Sequence, residues 1–328
     1  MKRMILVLLV LFAPVMASAH TRWFVEGELP PFEATEDTAV YMSFCVAVMV
    51  GVVAIAIYLH QHNMLQLSFL RPKRRFAYER AASTFAMVLG IFLLLAGTHE
   101  YLFSPNLTVT AGIPYSLIVV QIVIGLALLF DIATRSFAMV MAVVWVATIY
   151  FTGVVSALEN FWVLSSATFI AIMGNGYCSI ISCSYFRKKL RPFKQYALSG
   201  LRLGAGISLV VLGFSEKILA PAFGMNFLNQ HHWNFMHKVG LPYSDYLFVL
   251  SAGSIEILLG LIFILGIMTR LNALVTAIIF TIPLFILGPI ELIGHIPHFA
   301  AVTLLLLFGS GGHFMLFSKH KDAQVGVH

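Results

Sequence analysis

Two clusters of imidazoles stand out in this chain. His231, His232 and His237 crowd one polar segment, and His295 and His298 lie three residues apart. Residues three apart share a face where the backbone is helical. Imidazole is the commonest protein ligand for copper and zinc. His20 follows the small-residue run Ala17-Ser18-Ala19. Cleavage after Ala19 would leave a free amino-terminal histidine whose amine and ring nitrogen chelate one ion together. With His99, these residues form an expected set of metal ligands: His20, His99, His231, His232, His237, His295 and His298. The ion expected is copper, with zinc as the alternative. Histidines beside Trp23, Phe24, Trp233 and Phe235 also suit plain anchoring at a membrane surface, where amphipathic rings collect. Both readings stay open.

Four carboxylates form the second chemical group: Glu100, Glu216, Glu256 and Glu291. Glu256 stands in the middle of a long apolar run, where an unpaired charge costs about 2.5–3.5 kcal/mol even on lenient insertion scales. It must be protonated or paired, and Lys217 on the sixth span is one candidate partner. An inter-helix hydrogen bond explains it as well as a proton-handling or quinone-contacting role. Glu100, Glu216 and Glu291 would orient ligands or carry protons.

These groups sit in a chain whose class is plain. Hydrophobic residues make up 60% and charged residues 10%, against roughly 25% charged in a soluble domain. The mean hydropathy is +0.92. The sequence predicts an all-α polytopic membrane protein with nine transmembrane helices, at about 38–60, 81–104, 114–132, 136–155, 161–184, 200–220, 245–267, 272–291 and 296–317. Lys2 and Arg3, the apolar run Met4–Phe12 and the Ala17-Ser18-Ala19 site read as a secretory signal over 1–19, because that run is too short to span a bilayer. An external arm over 20–37 and an extra helix over 38–60 follow.

The loop charges agree with the leader. With the mature amino terminus outside, fifteen of the eighteen basic residues past the leader fall on the inner side, and only Arg22, Lys217 and Lys238 fall outside. This predicts a bacterial inner-membrane protein with its amino terminus in the periplasm and its tail, 318–328, in the cytoplasm. Its net charge of +6 therefore sets topology and does not imply nucleic acid. Cys45, Cys178 and Cys183 have no redox-motif or zinc-ribbon spacing. No phosphate loop, Ser-His-Asp order, Rossmann fingerprint or haem-attachment pair is present.

The chain also repeats itself. Residues 121–176 align without a gap on 256–311 at an offset of 135, sharing Gly125/Gly260, Thr134/Thr269, Arg135/Arg270, Gly153/Gly288 and Gly174/Gly309 among other identities. Upstream, Gly97 to Glu100 and Pro105 match Gly213 to Glu216 and Pro221 at an offset of 116. The change of offset marks a 19-residue insertion, in the loop 222–244 that holds three of the histidines. A period of this kind must be read before anything else. It predicts two parallel four-helix-bundle repeats, a first over 80–185 that is degenerate and a second over 200–317. The second holds Glu216, Lys217, Glu256, Glu291, His295 and His298 where the first holds Glu100, Tyr101, Gln121, Ser156, Asn160 and Val163.

Arg202, the run Gly213-Phe214-Ser215-Glu216-Lys217, Glu256 with Gly260-Leu261, Thr269-Arg270, Gly288 and Gly294-His295 resemble the DoxX-like (DoxX/DoxD) membrane proteins. These are four-helix units related to the small subunit of thiosulfate:quinone oxidoreductase. The resemblance covers about 200–313 well and 80–177 weakly. It implies the tandem fold, membrane or periplasmic redox partners and a quinone-linked role, with no single chemistry shared by the family. The leading expectation is a redox protein with an outward-facing metal site, and Glu256 deeper on a proton or quinone path. A transporter or carrier, and a scaffold or maturation partner for a periplasmic protein, are the alternatives.

Overall fold

The computed structural model describes residues 37–317 except Arg75, 175–183, 237–239, Pro242, Pro283 and Gly288, and it leaves out the side chains of 184–185 and 286–293. The expected leader, most of the arm, the tail, His20, His237 and the Glu291 side chain lie outside the described residues.

Among the described residues the chain is helical, with one isolated bridge between Tyr101 and Thr108 and no strand. The main helices are α1 (Thr38–Gln61), α2 (Ala77–Thr98), α3 (Tyr115–Leu129), α4 (Thr134–Glu159), α5 (Phe161–Met173), α6 (Ala197–Leu212), α7 (Pro221–His231), α8 (Asp245–Leu265), α9 (Thr269–Thr281) and α10 (Pro289–Phe308). Five stretches are long and apolar enough to cross a membrane: Thr38–Gln61, Ala77–Thr98, Thr134–Glu159, Phe186–Ile218 and Asp245–Leu265. Four shorter apolar helices, Tyr115–Leu129, Phe161–Met173, Thr269–Thr281 and Gly294–Phe308, accompany them. These are the helices of a membrane protein.

Eight helices pack side by side in a closed cycle. The order is α2, α3, α4, α5, α6, α8, α9, α10 and back to α2. An aromatic column fills the middle where α2 meets α5 and α10, with Phe85 on Phe169 (5.3 Å), Phe92 on Trp162 (5.5 Å) and Tyr78 on Phe308 (4.9 Å) between ring centroids. Two close crossings are made by facing glycines. A Cβ on Gly90 would stand 2.7 Å from the Gly125 carbonyl oxygen, and one on Gly206 would stand 2.7 Å from that of Gly260. Close backbone approach through small residues is how membrane helices gain dispersion energy without a hydrophobic drive.

Helix α1 stands outside the cycle, against α8. Thr38 bonds Tyr246 (2.9 Å), and the Tyr41 hydroxyl meets Ser251 (2.5 Å) and Tyr243. Its other side, with Val40, Phe44, Val50 and Ile55, is exposed and suits lipid.

The helix ends differ from the sequence reading in places. The second span is expected to reach 104, yet α2 stops at Thr98, and Glu100 takes a left-handed φ of 61°. The chain then folds back so that Leu102, Phe103, Leu107 and Ile113 are buried. The fifth span is expected to reach 184, yet α5 ends at Met173, where Gly174 has φ 61°. The inserted loop contains helix α7, whose Phe227 and Leu228 pack with Trp233, Met236, Phe248 and Val249.

One end of the molecule collects basic residues and is tied by long-range bonds. Arg135 donates to the carbonyls of Ala171 (2.7 Å), Ile172 (2.6 Å) and Met173 (2.9 Å), capping the end of α5. Lys194 pairs with Glu79 at 2.8 Å. Arg202, wholly buried, donates to Ile264 (3.0 Å), His313 (3.0 Å), Phe314 (2.7 Å), Ser310 (3.2 Å) and Phe263.

Candidate functional site

Helix α6 does not stop at Leu212. It runs into a π-helical turn, Gly213–Ile218, closed by the Leu219 amide on the Phe214 carbonyl at 2.8 Å. A π turn holds an extra residue and re-aims the side chains it carries, which is why such turns gather at functional sites. Here Glu216 and Lys217 are turned inward, 2% and 1% exposed. The Lys217 ammonium donates to both carboxylate oxygens of Glu256 on α8, at 2.8 Å each. Glu256 is 4% exposed. This is a two-pronged ion pair among apolar helices, and Glu216 lies within electrostatic reach of it.

The matching place in the first half is neutral. Gln121 on α3 accepts from the Phe103 amide (2.8 Å) and donates to the carbonyls of Leu93 (3.1 Å) and Tyr101 (2.9 Å). One amide satisfies the Phe103 amide and the Tyr101 carbonyl, which the turn after α2 would otherwise bury, and ties that turn to Leu93 inside α2. In the first half the position stitches a loop. In the second it holds charge against charge.

His295 and His298 share one face of α10, as their spacing predicts, with ring centroids 6.4 Å apart. Pro297 lies inside the helix, which already begins at Pro289. His295 is 0% and His298 5% exposed. The His298 ring lies 5.9 Å from Trp162 of α5 and 5.7 Å from Phe280 of α9, and His295 lies 4.9 Å from Phe280. The imidazoles therefore sit in an aromatic box where the two halves meet.

The other expected ligands are placed differently. His99 caps α2, exposed, its ring 6.1 Å from Tyr101. Glu100 beside it is exposed. His231 and His232 are exposed at the end of α7, with the His231 ring 4.7 Å from Phe227. Within the segment Phe227, Leu228, Trp233 and Met236 are buried, while His231 and His232 face outward. Asn234 pins the cap through the Tyr243 carbonyl (2.7 Å) and Asp245 (2.8 Å). Among the described residues no group of three or more His, Cys, Asp or Glu is arranged to hold a metal ion.

Two buried groups escaped the sequence reading. Arg202 is counted there with the inner basic loop, yet it clamps the ends of α8 and α10. Its place at the start of an apolar run was the available signal. His60 receives no role there, yet it is buried, with Nδ1 3.4 Å from Gln66 Nε2 and 3.5 Å from the Met268 amide. No local pattern announced that contact, which spans most of the chain. No family model, no curated protein and no solved structure matches this chain.

Proposed function

We propose that this chain is a nine-span inner-membrane protein built from two DoxX-like four-helix units related by duplication, and that its second unit serves quinone-linked redox chemistry by handling protons. Five long and four shorter apolar helices support nine spans. Parallel units are supported by the closed cycle, in which the last helix of each half packs on the first of the other. The basic end supports a cytoplasmic carboxy terminus.

The Lys217–Glu256 pair carries the functional reading. Ionisable groups deep in a membrane domain are costly, and they mark substrate, ion or proton paths by default. A quinone takes up protons as it takes up electrons, so its site needs donors and flat apolar walls. His295 and His298 between Trp162, Phe280 and Phe299 fit that need. In this reading the imidazoles hydrogen-bond the head group, and Glu256 exchanges a proton while Lys217 steadies its charge. A copper or zinc ion at the outer face would draw on His20 and His237 together with the exposed His99, His231 and His232. The described donors alone do not converge on one point. A periplasmic redox partner would meet the same face.

The test is infrared difference spectroscopy on the purified protein in lipid nanodiscs, while an added quinone is reduced and reoxidised. A carboxyl band should appear in the wild type and vanish in Glu256→Gln. Identical spectra, with no quinone retained by either protein, would refute the reading. Metal analysis of the same samples, with and without His231→Ala/His232→Ala, decides the outer site.

A further inference from the structure

At the basic end, a cavity of about 40 Å³ opens between the end of α1, the turn before α9 and the segment after α10. Its polar lining includes His60, Gln66, Arg71, Thr269, Arg270 and Ser310, with no carboxylate among the described residues. The amino terminus of α9 faces it through Thr269 and Arg270. Helix amino termini favour anions through unbonded amides and the helix dipole.

A second observation points to a ligand. Thr269 is 5% exposed, and its Oγ1 has no hydrogen-bond partner. The first half shows what belongs there. Thr134, at the start of α4, donates its hydroxyl to Asp131 Oδ1 at 2.6 Å, and Asp131 is 2% exposed. The two turns share their backbone form: φ is 60° at Asp131 and 70° at Gly266, and 45° at both Ala133 and Met268. At the offset of 135, Asp131 corresponds to Gly266 and Thr134 to Thr269. The first half thus carries its own carboxyl partner on this turn. The second half lacks the carboxylate and keeps the threonine, the arginine and the space.

The remaining chemistry agrees. His60 Nδ1 faces the Met268 amide and the Gln66 amide nitrogen. It therefore accepts, and the neutral ring carries its proton on Nε2 as a donor. Room for a water-sized group takes about 10–15 Å³, so the cavity holds about three such groups, enough to admit the two unbridged oxygens of a phosphodiester. Phe69 stands 79% exposed two residues before Arg71, an apolar side chain placed to meet acyl chains. The outward side of α1 continues that surface.

We propose that this cavity binds a phosphate group, supplied by the headgroup of an anionic phospholipid. The comparison between halves rests on the duplication proposed above, whereas the cavity and the Thr269 hydroxyl do not. The test is native mass spectrometry of the purified full chain with phosphatidylglycerol, phosphatidylcholine or inorganic phosphate. One phosphatidylglycerol should be retained in preference to phosphatidylcholine. Arg71→Gln, on an exposed loop, and Thr269→Val should each weaken it by about tenfold, the factor carried by one hydrogen bond to a charged group. Arg74→Gln, also exposed but not in the lining, should leave it unchanged. Thr269→Val should fold as well as the wild type without lipid, because the hydroxyl makes no bond to lose. Inorganic phosphate binding with the same dependence on Arg71 and Thr269, and with no preference among lipids, would support the anion site and assign it to free phosphate. Equal retention of both lipids without phosphate binding, or unchanged affinity in folded Arg71→Gln and Thr269→Val, would overturn the proposal. Neither result bears on the quinone test at Glu256.

Discussion

Glu256→Gln removes one charge from the Lys217 pair while keeping the shape of the side chain. The contact is short, with the ammonium 2.8 Å from both oxygens, and the side chains are 1% and 6% exposed. At that separation and an effective dielectric near 20, the attraction is about 6 kcal/mol. Most of it offsets the loss of hydration, so the pair as a whole adds little net stability. Breaking it is another matter, because the surviving charge keeps its desolvation penalty and loses its partner. Each single change, Glu256→Gln or Lys217→Met, should destabilise by about 3–5 kcal/mol. The double change Lys217→Met with Glu256→Gln should return to within about 2 kcal/mol of the wild type, because no charge is then stranded. Reversible unfolding in mixed detergent micelles, read as a double-mutant cycle, measures the coupling. Single variants that each lose less than about 1 kcal/mol and combine additively would show that these side chains do not face each other.

Three further outcomes follow from other contacts. Gln121→Leu should destabilise the first half by about 3 kcal/mol in the same unfolding assay, because it strands the Phe103 amide and the Tyr101 carbonyl, each buried orphan costing about 1–3 kcal/mol. Gly260→Ala should lose about 1–3 kcal/mol by overpacking, since its Cβ would lie 2.6 Å from the Gly206 oxygen; Gly51→Ala, with nothing within 4 Å, should be neutral. Burial raises the pKa of the Asp131 carboxyl, against an opposing hydrogen bond from Thr134. The folded state therefore prefers the neutral acid: its contribution is fully present below the ordinary carboxyl value near 3.9 and is lost as pH rises through the raised value. Asp131→Asn keeps an acceptor for Thr134 and should gain on the wild type as pH rises from about 4 to 7; parallel stability curves would count against it.

The apolar helices and the partner of Glu256 were legible in the chain, and for one reason. Charge is so rare in the apolar runs that Lys217 was the natural mate for a mid-helix carboxylate. Helix ends were harder. The end of α2 depends on Gln121, whose side chain takes up backbone groups eighteen residues away, and hydropathy carries no trace of such a bond. The inserted segment read as a polar loop because its histidines are conspicuous. Its fold depends instead on Phe227, Leu228, Trp233 and Met236, which find Phe248 and Val249 on α8. The reach of His60 to Met268 could not be read locally, since the two are neighbours only after α1 has docked on α8.

The two halves solve the same packing problem with different groups, and the differences share a direction. Where Gln121 closes its own loop, Glu256 needs a lysine delivered by a π turn. Where Asp131 answers Thr134, Gly266 leaves Thr269 to an open cavity. Where Val163 stands in the first matched stretch, the second has His298, 5.7 Å from the Phe280 ring. A half that only had to fold could keep polar groups that answer one another throughout, because that leaves no charge and no hydroxyl unanswered. The second half departs from that solution at three separate places, two within the bundle and one at its basic end. Independent drift would scatter such departures among exposed positions as readily as buried ones, since exposed changes are nearly free. These fall where polar groups are expensive. Keeping them there calls for a use, and the first half supplies the inert reference against which each use can be measured.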